Sequence, residues 1–397
     1  MQTAMWTLMT IMMLLNLFTV YIGVMFLFTF KKRTPHPKAA PETRFAVIIP
    51  ARNEAHVIGN LIAALKNQNY PAEKIDIFAA VNNTTDDTAD VARAAGASVI
   101  DCVGKITCKG QVLHQAVEKI LPLGHDAFVV FDADNIPDPD FLQRINDAFA
   151  AGERVCKGRL KAGNYAESWV SGGYGLYHAL MEWTYSLPHT NAGFSSNLVG
   201  TAFAFHREVI EKLGGWNTVT LCEDTEFAAQ VSRIGYRVAF IPEALSYDEQ
   251  VPSFRVSLRQ RHRWCYGMIQ CARSMTGSMF SRRCPKKGMA RDVGMLFIIS
   301  HTAPIAGLFG LAMMFFQPPW MLALTGACAV AAYIVTTLFA LFLCSYGGYP
   351  VKKMTGAVLG FPVFMFSWFP LQFIALFVPV KNWSAIRNSG QRDVLNT

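Results

Sequence analysis

The chain has 397 residues, of which 52% are hydrophobic and only 16% charged, against about a quarter charged in an average soluble domain. That balance argues against an ordinary soluble enzyme and leaves room for one catalytic domain with a few membrane spans. The formal net charge of +8 sits in short clusters beside apolar runs, as juxtamembrane anchors do, which argues against nucleic-acid binding.

Met5 to Phe30 is almost wholly apolar and long enough to cross about 30 Å of hydrocarbon. It is too long for a signal-peptide core, and no small-residue cleavage site follows it. Lys31-Lys32-Arg33 comes next, so the positive-inside rule puts the following domain in the cytosol. The nine cysteines contain no Cys-x-x-Cys pair and fit no zinc or disulfide framework.

From about Glu42 to Glu249 apolar strands alternate with helical stretches. Strands are expected at Phe45–Ile49, Ile75–Val81, Ser98–Ile100 and Ala127–Phe131. Helices are expected near Val57–Leu65, Asp87–Ala95 and Gly110–Ile120. This rhythm predicts an α/β domain with a mainly parallel sheet, whose ligands lie beyond the carboxyl ends of the strands. After Pro252 the pattern turns basic and amphipathic. Three apolar stretches follow, at about Val293–Phe316, Trp320–Leu343 and Thr355–Val378. Gln317-Pro318-Pro319 suits an external loop, and Lys352-Lys353 an internal one. Pro362 and Pro370 make the last stretch kinked, re-entrant or interfacial.

Asp132-Ala133-Asp134 follows the apolar run Phe128–Phe131. Positions two apart on an extended chain face the same way, so two carboxylates leave one strand end together. Such a pair is either a solvated acidic turn or a site for Mg²⁺ or Mn²⁺ with phosphate oxygens. Glu223-Asp224 opens the helical stretch Thr225–Ile234. Acids there complement the helix dipole, or one of them serves as a general base. Gln260-Arg261-His262-Arg263-Trp264 is either a membrane-surface helix with snorkelling arginines or a diphosphate clamp beside a sugar-stacking face. Pro50-Ala51-Arg52-Asn53-Glu54 closes the first strand, where a nucleotide can lie. Lys109-Gly110 starts a helix and can meet a phosphate.

In this order the motifs resemble those of the family 2 glycosyltransferases with a GT-A fold, in the polymerising branch of cellulose, chitin, hyaluronan and poly-N-acetylglucosamine synthases. The likeness covers about residues 44–270. It implies that Ala51, Glu54 and Asn82 line the nucleoside pocket, that Lys109 meets the diphosphate and that Asp132 binds the donor. Asp134 would ligate the metal, Mg²⁺ or Mn²⁺, and Asp224 would be the catalytic base. Gly200, Thr201 and Glu223 would border the acceptor end. Gln260, Arg263 and Trp264 would hold the diphosphate and the acceptor sugar. The family usually has an acidic residue where this chain has Asn82, whose carbonyl accepts the same uracil N3–H bond without charge. It usually has Thr where this chain has Cys222.

The resemblance divides the chain into an N-terminal transmembrane helix with its basic flank (1–34), a cytosolic GT-A domain (42–250), and amphipathic interface helices (251–290). A C-terminal transmembrane region (291–380) and a tail (381–397) complete it. It implies a multi-pass protein of the inner or plasma membrane. Such a protein would transfer sugar from a nucleotide sugar, expected to be a UDP-sugar, to a growing β-linked glycan, with export and with room for a homo-oligomer or accessory subunits. The alternative is a single addition to a membrane lipid, as in ceramide glucosyltransferases.

Overall fold

The computed structural model describes Trp6 and residues 20–314 and 318–380. Of the expected N-terminal span, the described part is an apolar helix, Val20–Phe30. The earlier part of that stretch, the loop residue Gln317 and the tail 381–397 lie outside the described residues.

Eight strands form one sheet: β1 Phe45–Ala51, β2 Ile75–Asn82, β3 Ser98–Cys102, β4 Ala127–Val130, β5 Ile136–Pro137, β6 Val155–Ala162, β7 Phe203–His206 and β8 Val238–Asp248. Their order is β3-β2-β1-β4-β7-β6-β8-β5. β1 pairs in parallel with β2 and β4, and β2 with β3. β7 runs antiparallel to both β4 and β6, β6 pairs in parallel with β8, and β5 antiparallel with β8. The first half is thus the expected parallel βαβα unit, and β7 makes the whole sheet mixed.

The unbroken apolar runs reflect burial on both faces. On β1, Phe45, Val47 and Ile49 pack one way, against Leu61, Leu65 and Phe141. Ala46 and Ile48 pack the other way, in a cluster with Val112, Phe203 and Trp216. Strand order reverses direction between β1 and β4, and ligands of open α/β sheets lie outside such a switch point. The loop after β1 carries Arg52, Asn53 and Glu54, and the turn after β4 carries Asp132 and Asp134.

The sheet is joined to the apolar C-terminal helices through a glycine-rich helix, Trp169–Met181. A methyl group on Gly172 would come within 2.6 Å of Ala357 Cβ and 2.8 Å of the Tyr165 carbonyl. The bare Cα there lets the helix Val351–Phe366 lie directly on the domain, with Met354, Ala357, Phe361 and Phe364 buried. That helix stops at Ser367, and Trp368–Phe377 continues beyond it. The expected stretch Thr355–Val378 is therefore two helical pieces, the first docked on the α/β domain along one face. Among the described residues, two helical segments are long and apolar enough to cross a membrane, Trp320–Tyr346 and Val351–Phe377. On the first, Trp320, Val330 and Val335 are 62–67% exposed, an apolar surface suited to lipid.

Candidate active site

A cavity of about 630 Å³ opens at the switch point. Its walls carry Glu54, Lys109, Asp132, Asp134, Gly200, Thr201, Glu223, Asp224, Gln260, Arg263 and Trp264. Ala51 and Asn82 are not on the wall. Both are buried in the ends of the paired strands β1 and β2, and the Asn82 amide has no hydrogen-bond partner.

The loop after β1 is held by its neighbour. Asn53 sits in the left-handed region at φ 59°, which asparagine tolerates. Its Oδ1 accepts from the Thr85 N–H at 2.7 Å, and the Glu54 N–H donates to Thr88 Oγ1 at 2.8 Å. Glu54 is pushed up to about 8 by its burial and by the charges of Asp134, Asp132, Asp86 and Glu249. Burial and the charges of Asp134 and Asp132 raise Asp248 well above the ordinary carboxylate range. Several carboxyl groups thus crowd this end of the cavity, and such a set of oxygens fits a hard divalent cation. Among the described residues no three His, Cys, Asp or Glu side chains form a complete cation site. A cation here would rest on one or two carboxylates, Asp134 above all, with donor phosphate oxygens completing its shell.

The Asp132 turn is fixed through Thr201. The Asp132 N–H donates to Thr201 Oγ1 at 2.9 Å, and the Thr201 hydroxyl donates to Asn135. Asn135 in turn donates to Asp248 at 2.9 Å. Thr201, expected to border the acceptor, thus spends its hydroxyl on holding the Asp132 turn in place.

Lys109 is the centre of charge. Its ammonium donates to the Asp132 carboxylate and to the Gly200 carbonyl, and lies 3.8 Å from Glu223 Oε1. Burial lowers its pKa, but the charges of Asp132 and Glu223 outweigh that and raise it. Gly110 makes this placement possible, because a methyl there would meet Thr218 Oγ1 at 2.4 Å. Burial raises both Glu223 and Asp224, with the positive charge of Lys109 opposing it in each. Asp224 Oδ1 accepts from the Thr225 N–H at 2.7 Å.

Two motifs far apart in sequence are clamped together beside Asp224. The Cys222 thiol donates to the Trp264 carbonyl at 3.4 Å. Gly267 faces it, and a methyl there would lie 2.5 Å from Cys222 Sγ and 2.9 Å from its backbone nitrogen. Within the helix Phe254–Met279, Gly267→Ala gains about 1 kcal/mol of helix propensity. The overlap with backbone should outweigh this by about 1–2 kcal/mol. A lower melting temperature and slower transfer are expected; a higher melting temperature would show that the close approach is absent.

Gln260 Oε1 accepts from the Tyr174 hydroxyl at 2.9 Å. Trp264 stacks on Trp368 at 6.1 Å, so one ring face is already taken by the C-terminal helices. Arg261, between the expected ligands, turns away. It is fully buried, donating to the Phe364 carbonyl at 3.0 Å and Ser367 Oγ at 2.8 Å. It therefore anchors the break between the two helical pieces. The helix Phe254–Met279 is at once a wall of the cavity and a brace for the apolar helices.

Sequence reasoning missed part of the cavity wall. Lys157, Tyr177, His178, Glu182 and Tyr185 line it, with Leu296, Ile299 and Met365 from the apolar helices. One signal was available. Lys157, Arg159 and Lys161 alternate along one strand, so one of its faces carries three cations and must meet something polar.

Residues 41–267 match the family described as glycosyltransferase like family 2. The probable glycosyltransferase YdaM of Bacillus subtilis (strain 168) is 28% identical over 271 residues, 65% of this chain and 63% of that protein. The beta-monoglucosyldiacylglycerol synthase of Synechocystis is 26% identical over 253 residues, 60% of this chain and 50% of that protein. Glucomannan 4-beta-mannosyltransferase 7 of Arabidopsis thaliana is 26% identical over 250 residues, 59% of this chain and 44% of that protein. The chain thus spans about half to two-thirds of the length of these curated relatives. Among solved structures, mannosyltransferase PcManGT from Pyrobaculum calidifontis, in complex with GDP-Man and Mn²⁺, superposes with a TM-score of 0.63 at 17% identity. The superposition covers 89% of this chain and 99% of that one, which shows a shared fold.

Proposed function

The chain belongs to the glycosyltransferase like family 2, and from that premise we propose that it is an inverting, metal-dependent, membrane-associated enzyme. It moves a sugar from a nucleotide sugar to a hydroxyl presented from the membrane side. The observation that carries this reading is that one cavity is lined both by Glu54, Asp132, Lys109 and Asp224 and by Leu296 and Ile299 of an apolar helix.

The nucleotide diphosphate lies at the acidic end, with Asp134 as the protein ligand for Mg²⁺ or Mn²⁺. That cation supplies charge against the diphosphate. Lys109 fixes Asp132 and Gly200 and adds positive charge beside the same group. Arg263, on the cavity wall, gives a second, forked cation for the departing phosphate. Asp224 takes the proton of the acceptor hydroxyl as that oxygen bonds to the sugar's anomeric carbon. The bond to the diphosphate breaks on the opposite face, so an α-linked donor gives a β-linked product. One base suffices, and no covalent enzyme intermediate is formed.

Two acceptor classes follow from the sequence, a growing glycan and a membrane lipid. Tyr177, Tyr185 and Trp264 on the wall would suit a sugar, but Leu296, Ile299 and Met365, carried by the apolar helices, favour the lipid, because an acyl chain needs such a surface and a glycan does not. The test is purified full chain with Mn²⁺ and a panel of nucleotide sugars, with lipid and oligosaccharide acceptors and mass analysis of products. A single glycolipid and loss of turnover in chelator are expected. A ladder of polymer would restore the glycan, and full activity in chelator would remove the metal.

A further inference from the structure

We propose that Lys157 forms an anion site at the acceptor end of the cavity, and that the acceptor is an anionic amphiphile: a glycerophospholipid with a hydroxyl in its headgroup. This rests on the reading of the cavity as the place of sugar transfer.

Lys157 is 6% exposed and lines the cavity. Its ammonium donates to Asn197 Oδ1 at 3.0 Å and Ser186 Oγ at 3.4 Å, and stands 5.8 Å from the Phe240 ring centroid. All three partners are neutral. Among the described residues no carboxylate lies within ion-pair distance of it. The nearby Glu182 is taken by Arg159 and by the Tyr346 hydroxyl at 2.6 Å. A buried ammonium with only neutral partners keeps most of its desolvation cost, and an incoming anion would remove it. Burial lowers this lysine to about 8, with Glu182 and Asp224 opposing the shift only in part. An anion bound beside it would raise it again.

The surroundings select the kind of anion. Lys157 shares the cavity wall with Asp224 and with Val293, Leu296 and Ile299. A ligand spanning them has a hydroxyl for the base, a negative group for the lysine and an apolar tail for the helix Lys287–Met314. A headgroup hydroxyl, a phosphodiester and acyl chains occur in that order in such a lipid. A soluble phosphate ester leaves the apolar wall uncovered, and a neutral diacylglycerol leaves the ammonium unpaired.

The experiment uses the full chain in nanodiscs with a donor that it hydrolyses. Three acceptors are compared: phosphatidylglycerol, diacylglycerol with the same acyl chains, and soluble glycerol 3-phosphate. Wild type should favour phosphatidylglycerol over diacylglycerol by about tenfold or more in kcat/KM, the scale of one charge-assisted contact. Lys157→Met should collapse that ratio, and Lys157→Arg should keep it. Equal use of the two lipids by wild type overturns the proposal, as does a preference that survives in Lys157→Met. Glycerol 3-phosphate used as well as the lipid also overturns it. If neither variant folds, the wild-type ratio alone decides. Donor hydrolysis with no lipid glycosylated sinks this proposal and spares the broader function; no turnover of any donor sinks the function itself.

Discussion

Asp224→Asn is expected to leave the protein folded and able to bind its nucleotide sugar, and to cut transfer by about 10²- to 10⁴-fold. The amide is nearly isosteric, and its oxygen can still accept the Thr225 N–H that holds the side chain at 2.7 Å. What it cannot do is take a proton. The pH profile gives a second reading. Burial raises Asp224 above the ordinary aspartate value. The base is idle when protonated, so transfer should fall as pH falls through a value higher than a free aspartate's. The residual activity of the variant should lack that limb. Retention of more than about a tenth of turnover, a barrier change under ~1.4 kcal/mol, would take the role of base from Asp224.

Lys109→Met should have the second largest effect, and a different signature. The ammonium bridges Asp132 and the Gly200 carbonyl and faces Glu223 at 3.8 Å. Removing it leaves buried carboxylates without their nearest cation and deprives the diphosphate of charge. Donor affinity and transfer together should fall by about a hundredfold or more. Asp224 also loses an opposing positive charge, so its pKa rises further and the acid limb of transfer moves to higher pH. Part of the loss should therefore return in alkaline buffer. A drop in melting temperature with an unmoved limb would mean that Lys109 only holds the fold together.

The first half of the domain was legible because it is local. β1, β2 and β4 are apolar runs buried on both faces, and each ends at a polar turn. Asp132, Glu54 and Asp224 sit where a strand stops or a helix starts, and those ends are visible in sequence. β5 to β8 were not expected. β5 has two residues and β7 four, too few for a period to show. β7 also enters the sheet only after the long helical excursion Trp169–Ala192.

Roles inside one motif were not legible either. Arg261 and Arg263 are two residues apart on one helix, so they point to different sides. Arg261 is buried among Phe364, Ser367 and Trp368, and Arg263 lines the cavity. Neighbouring arginines look alike in a sequence, and only the packing of the helix tells them apart. Thr201 likewise reads as a pocket residue, yet its hydroxyl serves Asp132 and Asn135.

The sequence by itself determined the α/β frame, the acidic strand end, the acids at a helix start and the apolar C-terminal stretches, because periodicity, charge and turn chemistry act over a few residues. Tertiary structure alone decided how those parts meet. Gly267 against Cys222 sets Asp224 beside the arginine helix. Gly172 against Ala357 sets the apolar helices against the domain. The cavity that joins Asp132 to Ile299 exists only once both contacts are made, and Lys157 joins its wall from a strand that carries no family motif. Close approach between distant segments depends on the volume removed at single positions, and no local pattern records which partner fills the space.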